Sequence, residues 1–354
     1  MALCRRVTRV RIFLVALLLI SAIAKAADFE SRYYAAVFSG DLSWVTAAEP
    51  DSPAGLALQE KFDALFVRGV RDSAIKAIDD IVVRRIAERF ADYWRQAFLA
   101  PQDLGLAEAQ LLTDIARLVG AEDQVDDPAA VERALADLLD QRGFYYRGGR
   151  TRPLLDLMLW RKNRTVDYDV ELTDGRQDVV VHFLDEFAVR GWSFFATFGR
   201  SGTGGWADRD ALYCISAAYD VDSEQFENSY LRHEARHFAD YELFPALDGA
   251  DLEYRGKLTE LAFSSDASGL LSKFWRHSDG TSVAPHPLAN WYVVQDTARA
   301  FDKSCDDNPL ICIGAATNDD LQAAARRLLK NHSRELNGLG AATVRSTLTP
   351  VAAD

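Results

Sequence analysis

Residues 222–261 read DSEQFENSYLRHEARHFADYELFPALDGADLEYRGKLTEL. At their centre His233-Glu234-Ala235-Arg236-His237 forms an HExxH pattern. Residues four apart on an α-helix lie one above the other, so both imidazoles reach one metal ion while Glu234 stands beside them. Asp222 and Ser223 are N-cap residues, Gln225 follows Asp222 by three as in a capping box, and Phe226, Tyr230, His233 and His237 recur at helical spacing. The helix is predicted to run to about Glu242. Pro245 stops it, Leu247-Asp248-Gly249-Ala250 turns the chain, and Asp251 caps a second helix bearing Glu253, Gly256, Lys257 and Glu260.

On these residues the stretch resembles the zincin metallopeptidases, and within them the gluzincin type, in which the two histidines of HExxH and a glutamate on the next helix hold zinc. The resemblance is confined to residues 222–261. It implies one Zn2+ per chain, with His233 and His237 as ligands, Glu234 as general base and Glu253 as third ligand. Glu260 is the alternative: Glu253 lies sixteen positions after His237 and Glu260 twenty-three, and the usual gluzincin spacing falls between them. Packing favours Glu253, because Gly256 one turn on lets the second helix approach the first closely, whereas Phe263 follows Glu260 at that offset. Lys257 stands where the thermolysin-like pattern has an aspartate that orients a ligand imidazole, so that role passes to Asp240 or Glu260. Gluzincins often stabilise the oxyanion with a His or Tyr from the C-terminal part, which makes His286 and Tyr292 candidates, with His277 behind them. His182 and His332 are read as structural or solvated.

The remaining composition is that of a globular chain: 354 residues, 49% hydrophobic, net charge −13. Residues 1–26 differ. Arg5, Arg6, Arg9 and Arg11 precede an apolar run from Ile12 to Ala24, and Ala24-Lys25-Ala26 fits a small-x-small cleavage site, which predicts a signal peptide and a periplasmic or secreted protein. Loss of its five basic side chains would take the net charge to −18. No basic face is visible in the sequence, so nucleic acid is not an expected partner, and no membrane span is expected after cleavage. In an oxidising compartment Cys305 and Cys312, flanking the turn-forming Asn308-Pro309, are expected to form a disulfide, leaving Cys214 buried in a strand.

The expected fold is α+β. Residues 27–143 read as a helical domain. Ile75, Ile78, Val82, Ile86, Phe90 and Trp94 keep helical spacing, a second helix spans Leu106 to Val119, and a third starts at Asp127-Pro128. A zincin-like domain is expected over residues 144–337, with a small mixed or antiparallel sheet, the HExxH helix and a helical C-terminal part. In it Val166 to Leu172 and Val179 to Phe183 alternate as a hairpin about Thr173-Asp174-Gly175-Arg176, and strands are expected at Trp192 to Phe198 and Ala211 to Tyr219. The glycine-rich GRSGTGGWADRD between them lacks phosphate-loop spacing and reads as a turn near a cleft. Helices are expected at Leu270 to Trp275, Leu288 to Phe301 and Asp320 to His332, then a frayed tail over 338–354. The functional expectation is a zinc endopeptidase of the cell envelope taking an extended polypeptide along the strand Ala211 to Tyr219 as edge. The competing expectation is an envelope binding or scaffold protein with a structural or relic metal site.

Overall fold

The computed structural model describes residues 28–301, 308–314 and 316–352. The predicted signal segment and Cys305 lie outside them. The described chain is α+β, as expected. It divides into two compact units: residues up to Trp160 with Phe187–Gly202, and Arg161–Glu186 with Thr203 onward. The boundary expected at Gly143 is therefore displaced. Past that glycine the chain is still filling the first core, with Phe144, Leu154, Leu157 and Leu159 buried there, and it returns with Trp192, Phe195 and Ala196.

The first unit carries α1 (Phe29–Ser39), α2 (Pro53–Phe62), α3 (Ser73–Lys76), α4 (Ile81–Leu99), α5 (Leu104–Val119) and α6 (Pro128–Gln141). The apolar series from Ile75 to Trp94 is split because Asp80 accepts hydrogen bonds from the Val82 and Val83 N–H groups and starts α4 afresh. α5 ends on Gly120 in the left-handed conformation (φ 72°), and Asp127 caps α6 ahead of Pro128. Aromatic rings dominate the core: Trp94 meets Phe195 at 5.2 Å, and its indole N–H donates to the Leu155 carbonyl at 2.9 Å.

After α6 come β1 (Tyr145–Arg147), β2 (Arg150–Thr151), β3 (Leu154–Leu155), β4 (Met158–Leu172), β5 (Gly175–Arg190) and α7 (Gly191–Ala196). β2 and β3 pair with each other. The expected hairpin is present and longer than its alternating core, since β4 and β5 continue beyond it. The strand expected at Trp192 to Phe198 is instead α7. Gly191 takes φ 85°, and the buried Asp156 carboxylate accepts from the Trp192 N–H, so a short aromatic run with no decisive period coils at that point.

The second unit adds β6 (Gly205–Ala207), β7 (Leu212–Ile215), α8 (His233–Leu243), α9 (Gly249–Phe263), α10 (Ala267–Arg276), α11 (Pro285–Phe301), α12 (Pro309–Ile313) and α13 (Asn318–Leu339). The five-stranded sheet has the order β1-β4-β5-β7-β6 and is mixed: β7 runs parallel to β5 from Val181↔Leu212 to Leu184↔Ile215 and antiparallel to β6. β7 is thus interior. The edge on that side is β6, built from the stretch read as a turn, because Gly204 and Gly205 let the chain close on two aromatic rings. A Cβ on Gly204 would lie 2.7 Å from the Tyr219 hydroxyl oxygen, and one on Gly205 would enter the Tyr230 ring.

Sheet residues Val170, Val181, Phe183, Leu212 and Cys214 form one core with Phe226, Tyr230, Ala235 and Ala239, which seats the HExxH helix on the sheet. A separate core of α9, α10, α11 and α13 surrounds Leu258, Leu261, Val293 and Leu329. α9 runs through the middle of this unit, and ten of its residues are buried. The tail is not frayed. Val344 is buried, the Asp248 N–H donates to the Arg345 carbonyl, the Val351 N–H donates to the Gly280 carbonyl, and the Asp251 carboxylate takes bonds from Ser346, Thr347 and Leu348. Asp251 does not cap α9. Asp248 holds the N-cap position, and Asp251 anchors the tail.

Candidate metal centre

The helix begins where its caps suggest, but regular α-helix is delayed by eight residues. Gln225–Arg232 is a π-helix, Ser223 Oγ accepts from the Phe226 N–H, and regular α8 starts at His233. The wide turn changes the phase of the following helix. Tyr230, Ala235 and Ala239 go to the sheet, and His233 and His237 go to α9, their ring centroids 4.6 Å apart.

From α9 comes Glu253. Its Oε2 is 3.4 Å from His233 Nε2, its Oε1 is 3.6 Å from His237 Nε2, and one ligand atom from each of the three residues lies within 4.8 Å of the others. This approach requires Gly256: a Cβ there would sit 2.7–2.9 Å from the His233 ring atoms. Glu260, the alternative third ligand, takes another place. Its Oε1 lies 2.7 Å from His233 Nδ1, on the far side of the ring. That contact fixes the ring and turns the Nε2 lone pair toward Glu253 and His237. Asp240, the other candidate for that task, is fully buried between Arg236 and Arg255 (2.9 and 2.7 Å) and clamps α8 to α9. Two arginines intercept it before it can reach an imidazole.

The three side chains form a group that could hold a metal ion. Their own bonding fits a cation. Glu253 Oε2 lacks a hydrogen bond of good geometry among the described residues, although His286 Nδ1 is 2.7 Å away. The electrostatics agree. Burial alone would lower the His233 pKa, yet Glu253 and Glu260 push it up to about 10, and burial of Glu253 is overcome by His286, His233 and His237, which hold its carboxyl well below the usual range.

Glu234 is half-buried at i+1 from His233. Two tyrosines that the sequence reading did not single out feel its charge. Burial first, then Cys214, Glu234 and Glu260, raise the Tyr219 pKa to about 12, and burial with Glu234 and Glu253 raises that of Tyr241, so both remain neutral O–H donors near neutrality. Tyr241 was available to helical spacing, continuing the series 233, 237, 241; Tyr219 reaches the site by tertiary folding.

Of the two oxyanion candidates, His286, on the first turn of α11, reaches Glu253 and remains 68% exposed. Tyr292 does not join the cluster: its hydroxyl donates to the Thr349 carbonyl at 2.7 Å. His277 bonds the Lys273 carbonyl, His182 meets Thr165, and His332 is buried against Asp251. Cys214 is free and buried in β7, and the Cys305–Cys312 bridge falls on a residue outside the described ones. Among the described residues no helix is long and apolar enough to cross a membrane. No protein-family model, curated protein or solved structure matches the chain.

Proposed function

We propose that the protein is a zinc-dependent peptidase of the cell envelope, with His233, His237 and Glu253 as the zinc ligands. The observation that carries this reading is the convergence of His233 Nε2, His237 Nε2 and the Glu253 carboxylate across a helix contact that only a glycine permits. Two imidazoles and one carboxylate are the ligand set of catalytic rather than structural zinc. Zinc held there would supply Lewis acidity towards a carbonyl and a bound water. Glu234 would accept the water proton and pass it to the leaving amine, and Glu260 would keep His233 in its ligating tautomer. His286, Tyr219 and Tyr241 are the donors available to a developing oxyanion. An extended polypeptide would pair with β6, the edge that lies against the metal-bearing helix through Gly205 and Tyr230.

The competing reading, a structural site in an envelope binding protein, draws on His286, whose nearness to Glu253 would let it complete four ligands. One set of proteins separates the two. Wild type, His237→Ala and Glu234→Gln are purified, matched by circular dichroism, and assayed for zinc and for casein cleavage. The peptidase predicts one equivalent of zinc in wild type and Glu234→Gln, none in His237→Ala, and cleavage by wild type alone. Zinc without cleavage in wild type would select the structural site, and no zinc in any protein would remove both readings.

A further inference from the structure

Away from the metal centre, the first unit carries a feature that the composition conceals. The chain as a whole has 40 basic against 53 acidic side chains. Between α3, α4 and α5, however, a cleft of about 670 Å³ is lined by Arg71, Lys76, Arg84, Arg85, Arg89 and Arg117 against two carboxylates, Glu88 and Asp114. Spacing puts Arg84, Arg85, Glu88 and Arg89 off the apolar stripe of α4, which by itself makes no strongly basic face. Folding creates one by setting Arg71, Lys76 and Arg117 from neighbouring segments opposite them.

The two carboxylates are already committed, Glu88 to Arg71 at 2.6 Å and Asp114 to Arg117 at 3.1 Å. Arg84 donates to the Ile78 carbonyl at 3.3 Å, and Arg89 leans on Asp92 at 3.5 Å. Lys76 and Arg85 form no ion pair or hydrogen bond among the described residues, and both are exposed. A lining with four more positive than negative groups repels itself unless an anion joins it. Five of its six cations are guanidinium groups, whose planar forks match phosphate oxygens two at a time. A carboxylate answers one fork with one charge. A phosphate offers three oxygens and nearly two charges to several forks at once, which suits cations gathered in a volume the size of a small-molecule site.

We propose that this cleft binds a compact phosphate-bearing anion, either free or as the head group of a lipid. The site belongs to the first unit alone and does not depend on the peptidase reading.

The test uses the full mature chain at physiological salt with three probes: tripolyphosphate, phosphatidylglycerol vesicles beside phosphatidylcholine vesicles, and an oligoglutamate peptide. The variants are Lys76→Glu/Arg85→Glu, the milder Lys76→Gln/Arg85→Gln, and Arg133→Glu on α6 as a control outside the cleft. Neither Lys76 nor Arg85 is used in the fold, so equal melting temperatures are expected. Tripolyphosphate binding that weakens roughly tenfold per lost contact in both cleft variants, and not in the control, supports a free phosphate ligand. The same pattern seen only with phosphatidylglycerol vesicles supports a lipid head group. Failure of both phosphate probes to bind wild type overturns the proposal. So does unchanged binding in the cleft variants, or oligoglutamate binding as tightly as tripolyphosphate.

Discussion

Glu253 and Glu260 stand two turns apart on α9 and meet the same imidazole on opposite edges. Glu253→Ala should abolish zinc retention. Glu260→Gln, which leaves an amide beside His233 Nδ1, should weaken it only by about 10- to 100-fold. Competition against a chromophoric chelator measures both, and equal losses would mean that Glu260 ligates the metal directly. Gly256→Ala should insert a methyl group into the space of the His233 ring, destabilise the metal-free protein by ~1–3 kcal/mol and lower zinc affinity. Urea unfolding and zinc titration unaffected by this change would show that the two helices separate freely. His233, Glu234 and His237 were legible from spacing alone, and Gly256 made Glu253 legible through a steric argument. The role of Glu260 was left open beside Asp240, because periodicity gives a side chain's face and not the arginines that intercept it. Tyr219 had no local signal at all.

Among the elements, helices with side-chain caps could be read from the sequence, and short aromatic or glycine-rich runs could not. α5 and α6 end and begin where Gly120 and Asp127-Pro128 place them. WSFFATF suits a strand as well as a helix, and only its surroundings coil it into α7. β6 was hidden because the glycines that suggest a turn also permit close backbone packing. The C-terminal segment was misread because its small polar residues carry no hydrophobic signal, yet Ser346 and Thr347 satisfy a carboxylate with no exposure at all. Burial alone would raise the Asp251 pKa, but His332, Thr347, Ser346 and the Leu348 N–H lower it. Its folded value therefore lies below the unfolded one. The resulting stability is present in full above the ordinary aspartate range and is lost as pH falls through the folded value. Asp251→Asn should cost ~1.5–3 kcal/mol near neutrality and flatten the acid limb of the stability curve. Denaturant midpoints measured from pH 3 to 7 would show this, and parallel curves for the two proteins would mean that the carboxylate's charge is not what anchors the tail. Since Asp251 is two residues from Glu253, a loosened tail should also raise the rate of zinc loss.

For the molecule as a whole, the separation into two units does not follow the sequence boundary. A chain truncated before Gly143 would keep every metal-site residue but lose α1 to α6, which cover Leu154, Leu157, Leu159, Trp192 and Phe195 in the first core. Such a protein should aggregate or bind a hydrophobic dye strongly, and a soluble, cooperatively melting product would show that the hairpin and α7 need no helical partner. The α+β class and helix-rich ends were legible because long amphipathic helices dominate both. The true division was not, because it depends on where Phe187–Gly202 returns, and that is a long-range event without a local mark. The two units interleave along the chain, with boundaries after Trp160, Glu186 and Gly202. No single scission of the backbone can release both intact, so a nick anywhere divides at least one of them, and neither could have been acquired or discarded as one uninterrupted piece of gene without leaving the other in fragments.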